Sequence, residues 1–265
     1  NTVKDKKEIE EIFSGAILGE VPKSENTMIT FDDRSSLAES FRIIRSNLSF
    51  VLPQNEQGKV IYITSTLSGE GKTFTAVNLL KILSLTQKKS LLIGADVRSP
   101  KILNYLGLHE GGSNPKGLTD LLADDHLKLD QVLWKKPGNY LFDVLPAGTI
   151  PPNPSELLMN PRYEQLIQGF KEQYDYIIVD TAPVGIVGDT QIIAAHADTT
   201  LYVIRANYLD RRMLPIFKDM FSNNKLKNMA VIVNDVDHNK GYGYGYGYGY
   251  GHGNDQPNRK DSFLF

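Results

Sequence analysis

The run Gly69-Glu70-Gly71-Lys72-Thr73 constrains this chain more than any other. It lies between an apolar, β-branched stretch, Val60-Ile61-Tyr62-Ile63-Thr64, and a helical pattern over Phe74 to Leu85. A strand that ends in a glycine-rich turn and passes straight into a helix aims backbone N–H groups and the positive end of a helix dipole at one spot. That spot suits the phosphates of a nucleotide. On this reading Ser68, Gly69, Glu70, Gly71, Lys72, Thr73 and Phe74 form the cradle, Lys72 reaches the β- and γ-phosphates, and Thr73 ligates Mg²⁺. The first glycine of the usual G-x-x-x-x-G-K-[ST] pattern is Thr66 here, so the match is partial. A plain glycine-rich turn is the competing reading, and the strand–turn–helix context disfavours it.

Downstream, short apolar runs alternate with helical patterns: Ser90 to Gly94, Tyr140 to Leu145, Tyr176 to Val179, Thr199 to Ile204 and Met229 to Val233 read as strands. Near-continuous Val/Ile/Leu strands between helices predict an α/β fold, a mostly parallel sheet with helices on both faces and ligands at the carboxyl ends of the strands. Two of those ends carry acids. Ile177-Ile178-Val179-Asp180 offers a carboxylate to a metal, and Leu91 to Arg98 offers Asp96 with Arg98 beside it. An aspartate after a strand is by itself more often a turn or helix cap. These two ends and the glycine-rich turn, three strand ends converging on one crevice, argue for a single site. Asn234, after the last strand, is a candidate for reading a purine edge, with loop capping as an equal alternative.

Composition narrows the rest. A formal charge of -2 over 265 residues speaks against a nucleic-acid partner, and without cysteine there is no disulfide or thiolate site. No apolar run approaches the roughly 20 residues that span a bilayer. Residues 1–27 are polar and read as a leading segment outside the repeating fold. Leu37 to Phe50 predicts an amphipathic helix with Glu39, Arg42 and Arg45 along one flank, a spacing that alone implies a solvated face. Residues 241–251 alternate Gly and Tyr; glycine at every second position weakens a lone strand, so a flexible tail is expected.

Together these elements resemble the bacterial tyrosine kinases of capsule and exopolysaccharide synthesis, whose P-loop is followed by a second Walker-like motif, apolar-Asp-x-Asp-x-Arg. Asp96 and Arg98 match that motif, whereas its first aspartate is Gly94. Gly117-Leu118-Thr119-Asp120-Leu121-Leu122 and Pro151-Pro152-Asn153-Pro154-Ser155-Glu156-Leu157-Leu158 fit as well, and the likeness is close to the staphylococcal capsule-kinase branch. The resemblance implies a P-loop NTPase fold and ATP/ADP with Mg²⁺ as ligands. It implies Lys72, Asp96 and Asp180 as catalytic groups and Thr73, Asp96 and Asp180 around the metal. Glu39-x-x-Arg42-x-x-Arg45 becomes an oligomerisation motif that closes a homo-oligomeric ring. Tyr242, Tyr244, Tyr246, Tyr248 and Tyr250 become autophosphorylation sites. A membrane activator of the polysaccharide co-polymerase type is the implied partner, placing the chain in the cytoplasm at the inner face of the membrane. Residues 1–27 then look like that activator's tail, fused or native, with the kinase domain at 28–238 and the tail at 239–265.

The phenol of tyrosine ionises near pH 10, so it needs help to act as a nucleophile near neutrality. In the family the first aspartate of the second motif is proposed to assist, and Gly94 has no side chain for that role. The expected consequence is nucleotide binding with poor phosphorylation. Two other functions compete: a catalytically silent nucleotide-binding regulator, which Gly94 keeps open, and a partitioning-type P-loop ATPase. The additional early-loop lysine typical of the latter is Leu67 here.

Overall fold

Among the residues that the computed structural model describes, 1–30, 32–108 and 115–237, seven parallel strands form one sheet. The strands are β1 Ile17–Pro22, β2 Lys59–Ser65, β3 Ser90–Ala95, β4 Asp143–Leu145, β5 Tyr176–Thr181, β6 Thr199–Arg205 and β7 Met229–Val236. The helices are α1 Lys6–Glu10, α2 Ser36–Val51, α3 Lys72–Ser84, α4 Ile102–Tyr105, α5 Leu118–Ala123, α6 Pro154–Leu158, α7 Pro161–Gln173, α8 Asp189–Ile193 and α9 Leu214–Ser222. Spatial order is β1-β7-β6-β2-β5-β3-β4. The phosphate loop leaves central β2, and its neighbour β5 delivers Asp180 in register with Ile63 on β2 and Gly94 on β3.

Both faces of the sheet are covered, which is why its strands read as continuous apolar runs rather than alternating ones. On β2, Ile61 and Ile63 pack into a core with Phe41, Ile44 and Leu48 of α2 and Leu79 and Leu83 of α3. Val60 and Tyr62 face the other way, into Tyr163, Ile167 and Phe170 of α7. The hydroxyls of Tyr62 and Tyr163 hydrogen-bond across 2.6 Å, so this pair of buried phenols meets its polar requirement internally. Among the described residues no helix is long and apolar enough to cross a membrane.

The structure departs from the sequence reading at the leading segment. Residues 17–22 form an edge strand paired parallel with β7, and Val3, Ile9, Phe13, Leu18 and Val21 are all buried. Val3 also exchanges backbone hydrogen bonds with the β6–α9 connection, through Leu209 O at 2.9 Å and Asn207 N at 2.7 Å. Five apolar side chains spread through a charged stretch give no periodic signal, yet Val3, Ile9 and Phe13 pack with β7 and α9, and Leu18 and Val21 with β7 and α2. Pro22 ends β1, a position on an edge where its missing N–H costs no interior ladder bond. A second difference is at the start of β4: Tyr140 still belongs to a turn, its N–H donating to Pro137 O at 3.2 Å, so the strand begins only at Asp143.

Candidate nucleotide and phosphoryl-transfer site

Gly71 caps α3 at φ 97°, and Gly69 stands at φ 87°. L-residues with a side chain rarely adopt this left-handed region, so the turn requires glycine at both places. Space demands it too. A Cβ on Gly71 would lie 2.2 Å from the Asn234 amide, and one on Gly69 2.8 Å from the Tyr208 hydroxyl.

The loop is braced from β6 and β7. Asn234 Nδ2 donates to Glu70 O at 2.9 Å, Tyr208 Oη to Ser68 O at 2.9 Å, and Arg205 to Gly69 O at 2.9 Å. Arg205 also pairs with Asp235 at 2.9 Å and lies over the Tyr208 ring, 5.0 Å from its centroid. Glu70 points away from the cradle: fully buried, it accepts from Leu67 N at 2.6 Å and Arg205 N at 3.3 Å, tying the loop to β6. Burial pushes its carboxyl up to about 7, against those hydrogen bonds and Lys72. Phe74 likewise turns inward, its ring edge-on to Phe41 at 5.8 Å. Of the predicted cradle, Glu70 and Phe74 thus use their side chains to fix the loop, and only their backbone faces remain for phosphate. The bracing residues Arg205, Tyr208 and Asp235 had no motif to reveal them.

Lys72, Thr73, Asp96 and Asp180 do come together. Thr73 Oγ1 donates to Asp180 Oδ2 at 2.6 Å, and Asp96 N donates to Asp180 O at 3.0 Å. Burial raises the Asp180 carboxyl to about 7 and also raises Asp96, while the same burial lowers Lys72 against the pull of Asp180, Asp96 and Glu70. Asp180 Oδ1 is buried without a hydrogen-bond partner. An orphaned carboxylate oxygen beside a threonine hydroxyl and a second aspartate is a donor set that fits Mg²⁺. Among the described residues no group of three or more His, Asp or Glu side chains is placed to hold a metal by itself.

Arg98 is anchored by a residue that sequence reasoning missed. Its Nε and Nη2 bind Asp189 at 2.6 and 3.1 Å, and Ser155 Oγ donates to the same carboxylate at 2.7 Å. Burial opposes ionisation of Asp189, but Arg98 and Ser155 outweigh it and its carboxyl lies below the usual value. This fork joins the loop after β3 to α6 and α8, while Ser99 N donates to Asp96 Oδ1 at 3.1 Å. Gly94 sits under the segment after β4: a Cβ there would be 2.9 Å from Ala147 N.

On α2, Glu39 and Arg42 pair with each other at 3.2 Å, Arg42 also reaches Asp33 O at 2.6 Å, and Arg45 reaches Ile82 O at 3.4 Å. Ile43 and Phe50 of the same helix are exposed. The five tail tyrosines lie outside the described residues.

A glycine-rich loop opening a helix at the centre of a parallel sheet, with a lysine, a threonine and two strand-end aspartates around it, defines a P-loop nucleotide-binding α/β protein. Residues 61–244 match the family described as the CobQ/CobB/MinD/ParA nucleotide binding domain. The chain is 36% identical over 199 residues to the tyrosine-protein kinase wzc of Salmonella typhi, an alignment covering 75% of this chain and 27% of that protein. With the tyrosine-protein kinase CpsD of Streptococcus agalactiae it shares 33% identity over 198 residues, covering 75% and 83%. The kinase domain of the Escherichia coli tyrosine kinase ETK superposes with a TM-score of 0.77 at 27% identity, covering 92% of this chain and 99% of that one. The chain therefore belongs to the bacterial tyrosine-protein kinases. It spans about a quarter of the length of wzc.

Proposed function

We propose that this chain is an ATP-dependent protein-tyrosine kinase that phosphorylates Tyr242, Tyr244, Tyr246, Tyr248 and Tyr250 of a neighbouring copy. The observation that carries the reading is the meeting of Lys72, the Thr73–Asp180 pair and Asp96 at the carboxyl ends of β2, β3 and β5. Phosphoryl transfer rests on positioning and charge neutralisation, which these groups supply. Lys72 and the loop amides hold the β- and γ-phosphates, and Thr73, Asp96 and Asp180 would hold Mg²⁺, whose charge offsets that developing on the phosphates. Asn234 is the candidate for the purine edge, next to the loop that its amide braces.

The partners follow from the same reading. Arg42 and Arg45, with Glu39, form the interface of a homo-oligomeric ring, in which the next subunit's tail reaches the site. A segment of about 20 residues has a root-mean-square reach near 25 Å, enough for that crossing. Five phosphates would add roughly -8 to -10 charges per chain and drive the ring apart. A membrane activator of the polysaccharide co-polymerase type holds the ring at the inner face of the membrane, where it regulates capsule or exopolysaccharide synthesis. Residues 1–27 are read as the activator-like segment, here folded against the kinase.

A phosphotyrosine immunoblot after incubation with Mg-ATP tests the function: signal from the chain and none from Lys72→Met is expected, and equal blank lanes with ATP bound would overturn it. That blank outcome is what the second reading, a silent nucleotide-binding regulator, requires. Gly94 favours it, since the residue at that motif position has no side chain to act as a carboxylate.

A further inference from the structure

The site has two sides, divided by Asp180. The phosphate loop follows β2 and is braced from β6 and β7, so the nucleotide lies on that side. On the other side, over the ends of β5, β3 and β4, a cleft is lined by Asp180, Gly94, Asp96, Ala147 and Lys101. In-line displacement needs the attacking oxygen opposite the leaving oxygen, so an acceptor must come through this second cleft.

The charges in that cleft are unusual for a site that has to activate a phenol. Asp96 and Asp180 belong to the metal set, and Gly94 leaves no further carboxylate. Lys101, at the start of α4, is exposed and lines the cleft. Among the described residues it forms no ion pair, although its charge acts on Asp96, Asp180 and Lys72. It is a cation on the acceptor side, as Lys72 is one on the nucleotide side.

We propose that Lys101 is a catalytic residue of the acceptor side, whose ammonium binds the tyrosine oxygen and stabilises it as phenolate in place of the carboxylate that Gly94 lacks. The inference rests on the kinase reading. The phenol loses its proton to solvent. Its oxygen forms a bond to the γ-phosphorus, and the bond from that phosphorus to the β,γ-bridging oxygen breaks, leaving its electron pair on ADP. An ammonium cannot take the proton; it makes the ionised oxygen accessible near neutral pH by opposing its charge. Activation by a cation differs from activation by a base in one measurable respect: arginine, which keeps the charge but cannot accept a proton, can replace the lysine.

The test uses the full chain with Mg-ATP, a labelled peptide holding one tyrosine, and the same peptide with difluorotyrosine, whose phenol is more acidic. Lys101→Met is expected to lower kcat on the tyrosine peptide about 100-fold at pH 7. The loss should shrink as pH rises toward that of the free phenol, and be several-fold at most on the difluorotyrosine peptide. Lys101→Arg should recover most of the rate, and affinity for a fluorescent ATP analogue should be unchanged in both variants. A Lys101→Met rate within twofold of the parent, or an equal loss on both peptides at every pH, would overturn the assignment while leaving the kinase reading intact. A parent chain that binds nucleotide but labels neither peptide nor itself would overturn the kinase reading, and this assignment with it.

Discussion

Thr73 Oγ1 donates to Asp180 Oδ2 across 2.6 Å, so the first turn of α3 and the end of β5 are held together by the two groups that would share a magnesium ion. On the proposed reading Thr73→Ala removes a magnesium ligand, and it leaves a second Asp180 oxygen without a partner. Nucleotide affinity in the presence of Mg²⁺ should fall about 10- to 100-fold, with a change of about threefold or less in EDTA. Titration calorimetry under both conditions measures the difference.

Gly94 carries a prediction opposite to simple restoration of the motif. A Cβ at this position would press on Ala147 N at 2.9 Å and on Ala147 Cα and Cβ at 3.4 Å. That backbone has little freedom: Leu118 N and Thr119 N donate to Pro146 O and Ala147 O at 2.8 and 2.9 Å, and Thr119 Oγ1 bonds Ala147 O at 3.0 Å and Thr149 O at 2.7 Å. Gly94→Asp should cost about 1–3 kcal/mol of stability, and Gly94→Ala a similar amount because the first carbon makes the clash. Urea denaturation of both variants checks this, and any phosphotyrosine gain in Gly94→Asp has to be judged against Gly94→Ala.

The fork between Arg98 and Asp189 joins a half-exposed cation to a buried anion, with side-chain exposures of 41% and 2%. Arg98→Ala leaves the Asp189 carboxylate buried with only Ser155 beside it. The expected loss is about 2 kcal/mol, below the range for fully buried pairs because solvent screens the guanidinium. Asp189→Asn, which keeps the shape, should lose less, and chemical denaturation of the two variants ranks them.

Glu70 makes stability fall with pH. Its folded value is raised from 4.5 to about 7, so the native state binds its proton more tightly than the unfolded chain does. The stabilisation is complete below pH 4.5 and is lost as pH rises through 7, a change of about 3 kcal/mol. In Glu70→Gln the melting temperature of the nucleotide-free protein should depend less on pH between 5 and 8. Its amide would meet Leu67 N or Arg205 N with a donor, so the variant should also be less stable at pH 5, which calorimetry at both pH values reads directly.

The leading segment can be tested where it meets the core. Leu18 on β1 is 1% exposed, and Leu18→Ala should destabilise the whole domain by about 2–4 kcal/mol. If residues 1–27 were only an appendage, its unfolding curve would coincide with that of the parent.

The strands β2, β3, β5, β6 and β7, the helices α2 and α3, the phosphate loop and the two strand-end aspartates were all legible, because each is specified by neighbours in the chain. A buried parallel strand needs an unbroken apolar run, a phosphate turn needs glycines at fixed spacing, and an acid at a strand end lies where that strand stops. β1 was not legible. As an edge strand it needs only Leu18 and Val21 inward, too few residues to make a period.

Contacts between distant segments were decided by the tertiary structure alone. Nothing local to Asp189 marks it as the partner of Arg98, 91 residues away. Likewise, Asn234 reaches Glu70 O from 164 positions down the chain, and Lys101 lines a cleft with Asp180 and Ala147 because β3 lies between β5 and β4. The glycine-rich run with which the chain declares itself thus determined by its own sequence that phosphate would be bound, through a backbone shape set by Gly69, Gly71 and the helix behind them. What surrounds that phosphate is a matter of strand order. Packing β2, β5 and β3 side by side brings Lys72, Asp180 and Asp96 to one place, and packing β4 against β3 closes Ala147 over Gly94.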